Sequence, residues 1–199
     1  LKTRSGLTTP VEDGQTPLDR DEAEGLVPAW IATRGDLNIA EQANIEASYR
    51  WVASARRRGV NVATEEFLRG LHHSMFRQVW SWAGRYRATE RNIGVAPHQI
   101  SMQVRMLLDD ASVWHAHGIY DVDEQAYRLH HRLTAIHPFP NGNGRSARLM
   151  ADHYLAQHGA EWFTWGAGLP ADESRRRYLE AVRAADGHDY ALLAAFVRA

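Results

Sequence analysis

The residues best suited to chemistry lie together in the run His137-Pro138-Phe139-Pro140-Asn141-Gly142-Asn143-Gly144-Arg145-Ser146-Ala147-Arg148. A proline disfavours α conformation in the residue before it, so Pro138 and Pro140 end the preceding helix at about Ile136 and set His137 at a sharp bend. Gly142 and Gly144 admit backbone angles closed to other residues and leave peptide N–H groups uncovered, so the turn can curl around an anion. It leads directly into a helix whose first N–H groups and dipole present partial positive charge. Arg145, Arg148 and Asp152 share one sector of that helix. Ala147, Met150, Ala151, Tyr154 and Leu155 share the other, so the apolar side seats the helix while both guanidinium forks face the anion. A histidine titrates near neutral pH and can take a proton from an attacking hydroxyl as phosphorus is displaced. The chemistry described is phosphoryl or nucleotidyl transfer, which rests on positioning and charge neutralisation, normally with Mg²⁺. Asn141 or a nearby carboxylate is the candidate ligand.

The run resembles the Fic motif, His-x-Phe-x-(Asp/Glu)-Gly-Asn-Gly-Arg-x-x-Arg, at His137, Phe139, Gly142, Asn143, Gly144, Arg145 and Arg148. Over roughly residues 37 to 199, the resemblance implies an all-α helical bundle with a small β-hairpin flap ahead of the motif loop and helix. It also implies a protein adenylyltransferase that moves AMP from ATP to a Tyr, Ser or Thr hydroxyl of a target protein. His137 would be the general base and Phe139 the loop's anchor. Gly142, Asn143, Gly144 and Arg145 would hold the α- and β-phosphates, and Arg148 the γ-phosphate. The flap, with Thr89, Asn92, Ile93, Gly94 and Val95, would pair with an extended segment of the target. Glu41-Gln42-Ala43-Asn44-Ile45 and Val79-Trp80-Ser81-Trp82-Ala83-Gly84 are similar to stretches of Fic proteins associated with mobile elements.

The pattern departs at Asn141, where the family carries Asp or Glu for Mg²⁺. A neutral amide oxygen is a poorer ligand for that cation. A regulator that binds nucleotide but turns over weakly is therefore one alternative. A phosphotransferase is another, although relatives of that kind depart at the second glycine and first arginine, which stand here as Gly144 and Arg145. Many Fic proteins are restrained by a helix bearing (Ser/Thr)-x-x-x-Glu-(Gly/Asn). Glu24-Gly25 is the candidate inhibitory segment, with Arg20 where Ser or Thr is expected, and a separate regulatory partner protein is the other route to restraint.

Positioning falls to helices. Apolar residues recur at helical spacing through Ala40, Ala43, Ala47, Trp51 and Ala55, then Leu68, Leu71, Met75, Val79 and Trp82. The pattern continues through Ile100, Val104, Leu107, Ala111 and Trp114, and through Val122, Ala126, Leu129, Leu133 and Ile136. Thr64 is expected as an N-cap, Gly59 and Gly84 follow helix ends, and Pro97 suits a first turn. After the motif come a helix to about Gln157, an aromatic and glycine-rich loop from Trp162 to Pro170, and short helices near Glu173 to Ala185 and His188 to Arg198. Residues 85 to 95 are too short and mixed for a helix and fit a small β-hairpin or an extended flap. Residues 1 to 36 form an N-terminal arm, turn-rich over its first twenty or so residues, and 37 to 199 the catalytic domain.

The 199 residues carry a net charge of -1 with histidine neutral, which argues against a nucleic-acid partner. An apolar content of 44% suffices for a core, while no run approaches the roughly 20 residues needed to cross a bilayer. The absence of cysteine fits the cytoplasm. None of the histidines, including His72-His73 and His130-His131, has the spacing of a transition-metal site. Trp80, Trp82 and Trp114 fill apolar stripes, and the Arg56–Arg58 and Arg175–Arg177 runs read as solvated faces.

Overall fold

The computed structural model describes residues 23–199. Their seven α-helices are α1 (Arg34–Arg57), α2 (Glu65–Phe76), α3 (Ile100–His117), α4 (Val122–Ile136), α5 (Asn143–Gln157), α6 (Ala171–Asp186) and α7 (Ala191–Val197), with one 3-10 turn at Pro97–Gln99. Side chains fix several starts. Thr33 caps α1 in a reciprocal box, accepting from the Asp36 N–H at 3.1 Å while the Asp36 carboxylate accepts from the Thr33 N–H at 2.9 Å. Those bonds hold the Asp36 carboxyl below its ordinary range. Thr64 accepts from the Phe67 N–H at 3.2 Å to start α2, and Asp121 from the Glu124 N–H at 2.7 Å to start α4.

The helices α4 and α5 form the central pair, with α1 against α2 on one side and α6 against α7 on the other. The apolar sector of α5 is fully seated, since Ala147, Met150, Ala151, Tyr154 and Leu155 are all buried. The Tyr154 hydroxyl reaches through the core to donate to Gln125 Oε1 at 2.7 Å. The segment before α1 adds to the same core. Leu26 and Ile31 are buried, the Val27 N–H donates to the Val79 carbonyl and the Ser81 N–H to the Gly25 carbonyl, each at 2.8 Å. No helix among the described residues is long and apolar enough to cross a membrane.

Two expectations need correction. The second apolar stripe does not continue as helix to Trp82, because α2 ends at Phe76. Beyond it Trp80 takes part in an isolated antiparallel bridge with Leu26 and donates its indole N–H to Glu41, so its burial comes from tertiary partners rather than a helical face. Nor is there a β-hairpin over residues 85 to 95, which run as bends and irregular chain with no strand among them. The physical reason is a competing set of bonds. The carbonyls of Thr89 and Val95 accept from the Arg87 guanidinium and the Val95 N–H donates to the Ile136 carbonyl, leaving the two arms few groups to pair with each other.

Candidate active site

The motif loop is built around a reversal at His137. This residue closes α4 with φ 54° and ψ 59°, its N–H donating to the Leu133 carbonyl at 3.0 Å. A non-glycine residue in the left-handed region costs on the order of 1–2 kcal/mol, so the surroundings must hold it there. Arg87 does so from one side. Its backbone N–H donates to the Pro138 carbonyl at 2.9 Å and its Nε to the His137 carbonyl at 2.7 Å. Below the loop, the fully buried Phe139 ring stacks on His72 with centroids 3.7 Å apart.

His72 is itself fixed at both ring nitrogens. Its Nδ1 accepts from the Gly84 N–H at 3.0 Å, so Nε2 carries the proton and donates to the Asn141 carbonyl at 3.0 Å. Burial pushes its pKa down to about 3, keeping the ring neutral. Asn143 ties the loop internally, its Oδ1 accepting from the Phe139 N–H and its Nδ2 donating to the Phe139 carbonyl, both at 2.8 Å. This pairing turns the amide inward and leaves the Asn143 backbone N–H at the start of α5. Gly142 turns the chain into α5 with φ 77°, and a Cβ there would lie 2.7 Å from the Phe76 ring.

No side chain caps the start of α5. Its first N–H groups open onto a cleft of about 1070 Å³, lined among others by His137, Asn141 to Arg145, Arg148, Trp165 and Tyr178. The two arginines reach it differently. Arg145 is held from behind by Glu41, a buried carboxylate of α1 that also accepts from Trp80 Nε1 at 2.7 Å. Arg148 lies over the Tyr178 ring at 4.1 Å, with no carboxylate at ion-pair distance among the described residues. Asp152, on the same sector in sequence, does not line the cleft. Its carboxylate accepts from Trp165 Nε1 at 2.9 Å and anchors the loop that carries Trp165, while burial raises its pKa to about 6.

His137 is buried, and burial, reinforced by the Arg87 cation, pushes its pKa down to about 4, against the opposing pull of the Thr134 carbonyl. The imidazole is neutral at neutral pH. One ring nitrogen donates to the Thr134 carbonyl. Asn141 Oδ1 accepts from the Gly142 N–H at 2.6 Å. Ile93 and Gly94 line the cleft, which puts the tip of the flap segment beside His137. Glu24 is exposed and is not among the residues lining the cleft. The contributions of Arg87, Glu41, His72, Trp165 and Tyr178 escape sequence reasoning. The clearest local signal is His72, a polar residue in the apolar stripe of α2.

The Fic/DOC family matches residues 62–155. These residues form a Fic domain. Protein adenylyltransferase fic-1 of Caenorhabditis elegans is 33% identical over 84 residues, which are 39% of this chain and 16% of that protein. A uridine 5'-monophosphate transferase of Xanthomonas campestris is 47% identical over 45 residues, 23% of this chain and 8% of that protein. A solved fragment of Fic-1 from C. elegans shares the fold with a TM-score of 0.68 at 22% identity, over 88% of this chain and 51% of the fragment. The chain thus spans a small part of the curated relatives it matches, and about half of the solved fragment.

Proposed function

We propose that the Fic domain transfers AMP from ATP to a hydroxyl of a target protein. Carrying the proposal is the meeting, in one cleft, of a buried neutral imidazole with an uncapped helix start flanked by two arginines. The N–H groups of Asn143, Gly144 and Arg145 and the guanidinium of Arg145 would hold the α- and β-phosphates, and Arg148 the γ-phosphate. The hydroxyl oxygen of the target attacks the α-phosphorus, the bond from that phosphorus to the bridging oxygen breaks, and pyrophosphate leaves. The hydroxyl proton passes to the unprotonated ring nitrogen of the neutral His137 imidazole. The flap segment from Thr89 to Val95, with Asn92, Ile93 and Gly94, would receive the target's chain beside that nitrogen. Similarity to an adenylyltransferase supports the choice of AMP.

Mg²⁺ fits this site as a companion of the nucleotide. Asn141 Oδ1 has one lone pair on the Gly142 N–H and a second to offer, and no group of three or more acidic or histidine side chains gathers among the described residues. Asn141 would supply one ligand, the phosphates and water the rest, and the ion would neutralise charge on the leaving pyrophosphate. A reaction fed by ATP agrees with the cytoplasm.

The similarity to a uridine 5'-monophosphate transferase favours a second reading, in which the donor is UTP and the group moved is UMP. One experiment separates the readings. The protein is incubated with Mg²⁺ and with ATP labelled at the α- or the γ-phosphate, or with α-labelled UTP, beside a His137→Ala control. Label from α-ATP on protein, absent from the control, is expected. Label from UTP alone selects the second reading, label from γ-ATP selects phosphotransfer, and nucleotide binding with no label leaves a regulator.

A further inference from the structure

Arg87 is a buried cation, 4% exposed, whose side-chain bonds all go to backbone carbonyls. Nε donates to His137 at 2.7 Å and Nη1 to Thr89 at 2.9 Å, while Nη2 donates to Val95 and, at 3.5 Å, to Ile136. Two of these carbonyls belong to the flap segment and two to the end of α4 and the base itself. A planar fork with five N–H groups can hold so many acceptors at once, and an ammonium cannot. Desolvation of the guanidinium, which lowers its pKa, is compensated by these dipoles, with Glu90 acting only through space. The packing leaves no slack. A Cβ on Gly94, at φ 97°, would lie 2.7 Å from Arg87 Nη2, 2.7 Å from His137 Cβ and 3.0 Å from the Ile136 carbonyl oxygen.

We propose that Arg87 is a positioning residue that couples the flap to the base, one guanidinium setting both the register of Thr89 to Val95 and the place of His137. The inference rests on the proposed reading of His137 as base and of the flap as the docking segment. It implies that a target chain pressing on the flap is reported to His137 through this side chain, alongside the Val95 N–H bond to the Ile136 carbonyl. The cations facing the His137 ring are Arg87 and Arg91, and the Thr134 carbonyl is its polar partner on α4.

The test compares Arg87→Lys, which keeps the charge and loses the fork, with Arg87→Met, which loses both. Hydrogen exchange reads the coupling without any activity. In Arg87→Lys, peptides spanning 89–95 and 136–139 should exchange roughly tenfold faster, with the rest of the chain unchanged. Affinity for ATP should stay within about threefold of wild type, because the phosphate cradle lies on α5, while transfer of α-label slows by tenfold or more. An NMR titration of the His137 ring should move up in Arg87→Met and stay near wild type in Arg87→Lys. Unchanged exchange in both segments, or equal losses of ATP affinity and label transfer, would overturn the proposal. If wild type transfers no label, the reading of the function fails and the exchange data still decide the coupling. Should Arg87→Lys not fold, Gly94→Ala wedges the same contact from the flap side and must loosen both segments together. Loosening confined to residues 89–95 in that variant would also overturn it.

Discussion

Glu41 and Arg145 meet at 2.6 Å although 104 residues separate them in the chain. The carboxylate is 5% exposed and the guanidinium side chain 41%, so the pair spans the boundary between core and cleft. Glu41 orients Arg145 from behind and leaves its remaining donors to the cleft. In Glu41→Gln the single amide oxygen cannot serve both Trp80 and Arg145. We expect a stability loss of about 1–2 kcal/mol by urea denaturation, moderated because the arginine left behind is partly in water. A stability within about 0.5 kcal/mol of wild type would refute a role in holding the pair.

Gly142→Ala places a methyl group 2.7 Å from the Phe76 ring at a residue with φ 77°. The left-handed backbone and the overpacked ring together should lower stability by about 2–4 kcal/mol. Because the same turn aims the first N–H groups of α5, ATP affinity should fall at least tenfold even at temperatures where the variant is folded. Calorimetric ATP titration beside a thermal melt separates the two effects, and a variant that melts lower yet binds ATP normally would dissociate the turn from the cradle.

Several buried histidines give stability a pH dependence of definite sign. Burial lowers His72 to about 3 and His137 and His153 to about 4, and drives His130 well below its ordinary value. Below about pH 6.5 the unfolded chain protonates these rings while the folded chain does not, so stability falls as pH drops from about 6.5 towards 4, by about 1.4 kcal/mol per pH unit for each ring. Asp152 works in the opposite sense. Its pKa, raised to about 6, lets the folded state bind a proton that the unfolded state takes only near pH 3.8, so it adds stability over that interval. Four rings outweigh one carboxyl. Urea midpoints between pH 7.5 and 4.5 should fall steadily, and Asp152→Asn should steepen the fall between pH 6 and 4.5.

What could be read from the sequence follows a physical division. The helix ending at Ile136, the seated face of α5 and the uncapped turn at Gly142 depend on neighbours a few residues away, and all were legible. Arg87 was not, since its acceptors are carbonyls, which every residue carries, and it reaches as far as His137, 50 residues on. Glu41 lay in a recognised stretch, yet nothing local points it at Arg145. The expected hairpin failed for the same reason, because residues 85 to 95 have the composition of a strand pair but their carbonyls find Arg87 first. Asn143 belongs to the motif pattern, and only the structure assigns its amide to the backbone of Phe139.

Asn141→Asp restores the carboxylate that the family pattern carries. The existing bond favours it, because Oδ1 already accepts from the Gly142 N–H at 2.6 Å and a carboxylate keeps that acceptor while freeing a second oxygen for the cation. Residue 141 also stands just ahead of α5, where a negative charge is favourable by about 0.3–1 kcal/mol, so the variant should fold at least as well as wild type. We expect transfer of α-label to rise by roughly tenfold at low Mg²⁺ and the Mg²⁺ concentration for half-maximal rate to fall, since a charged oxygen binds this cation better than a neutral amide. The gain should shrink as Mg²⁺ is raised, because the ion is then present without the extra ligand. Equal rates of the two proteins at every Mg²⁺ concentration would mean that residue 141 does not touch the metal.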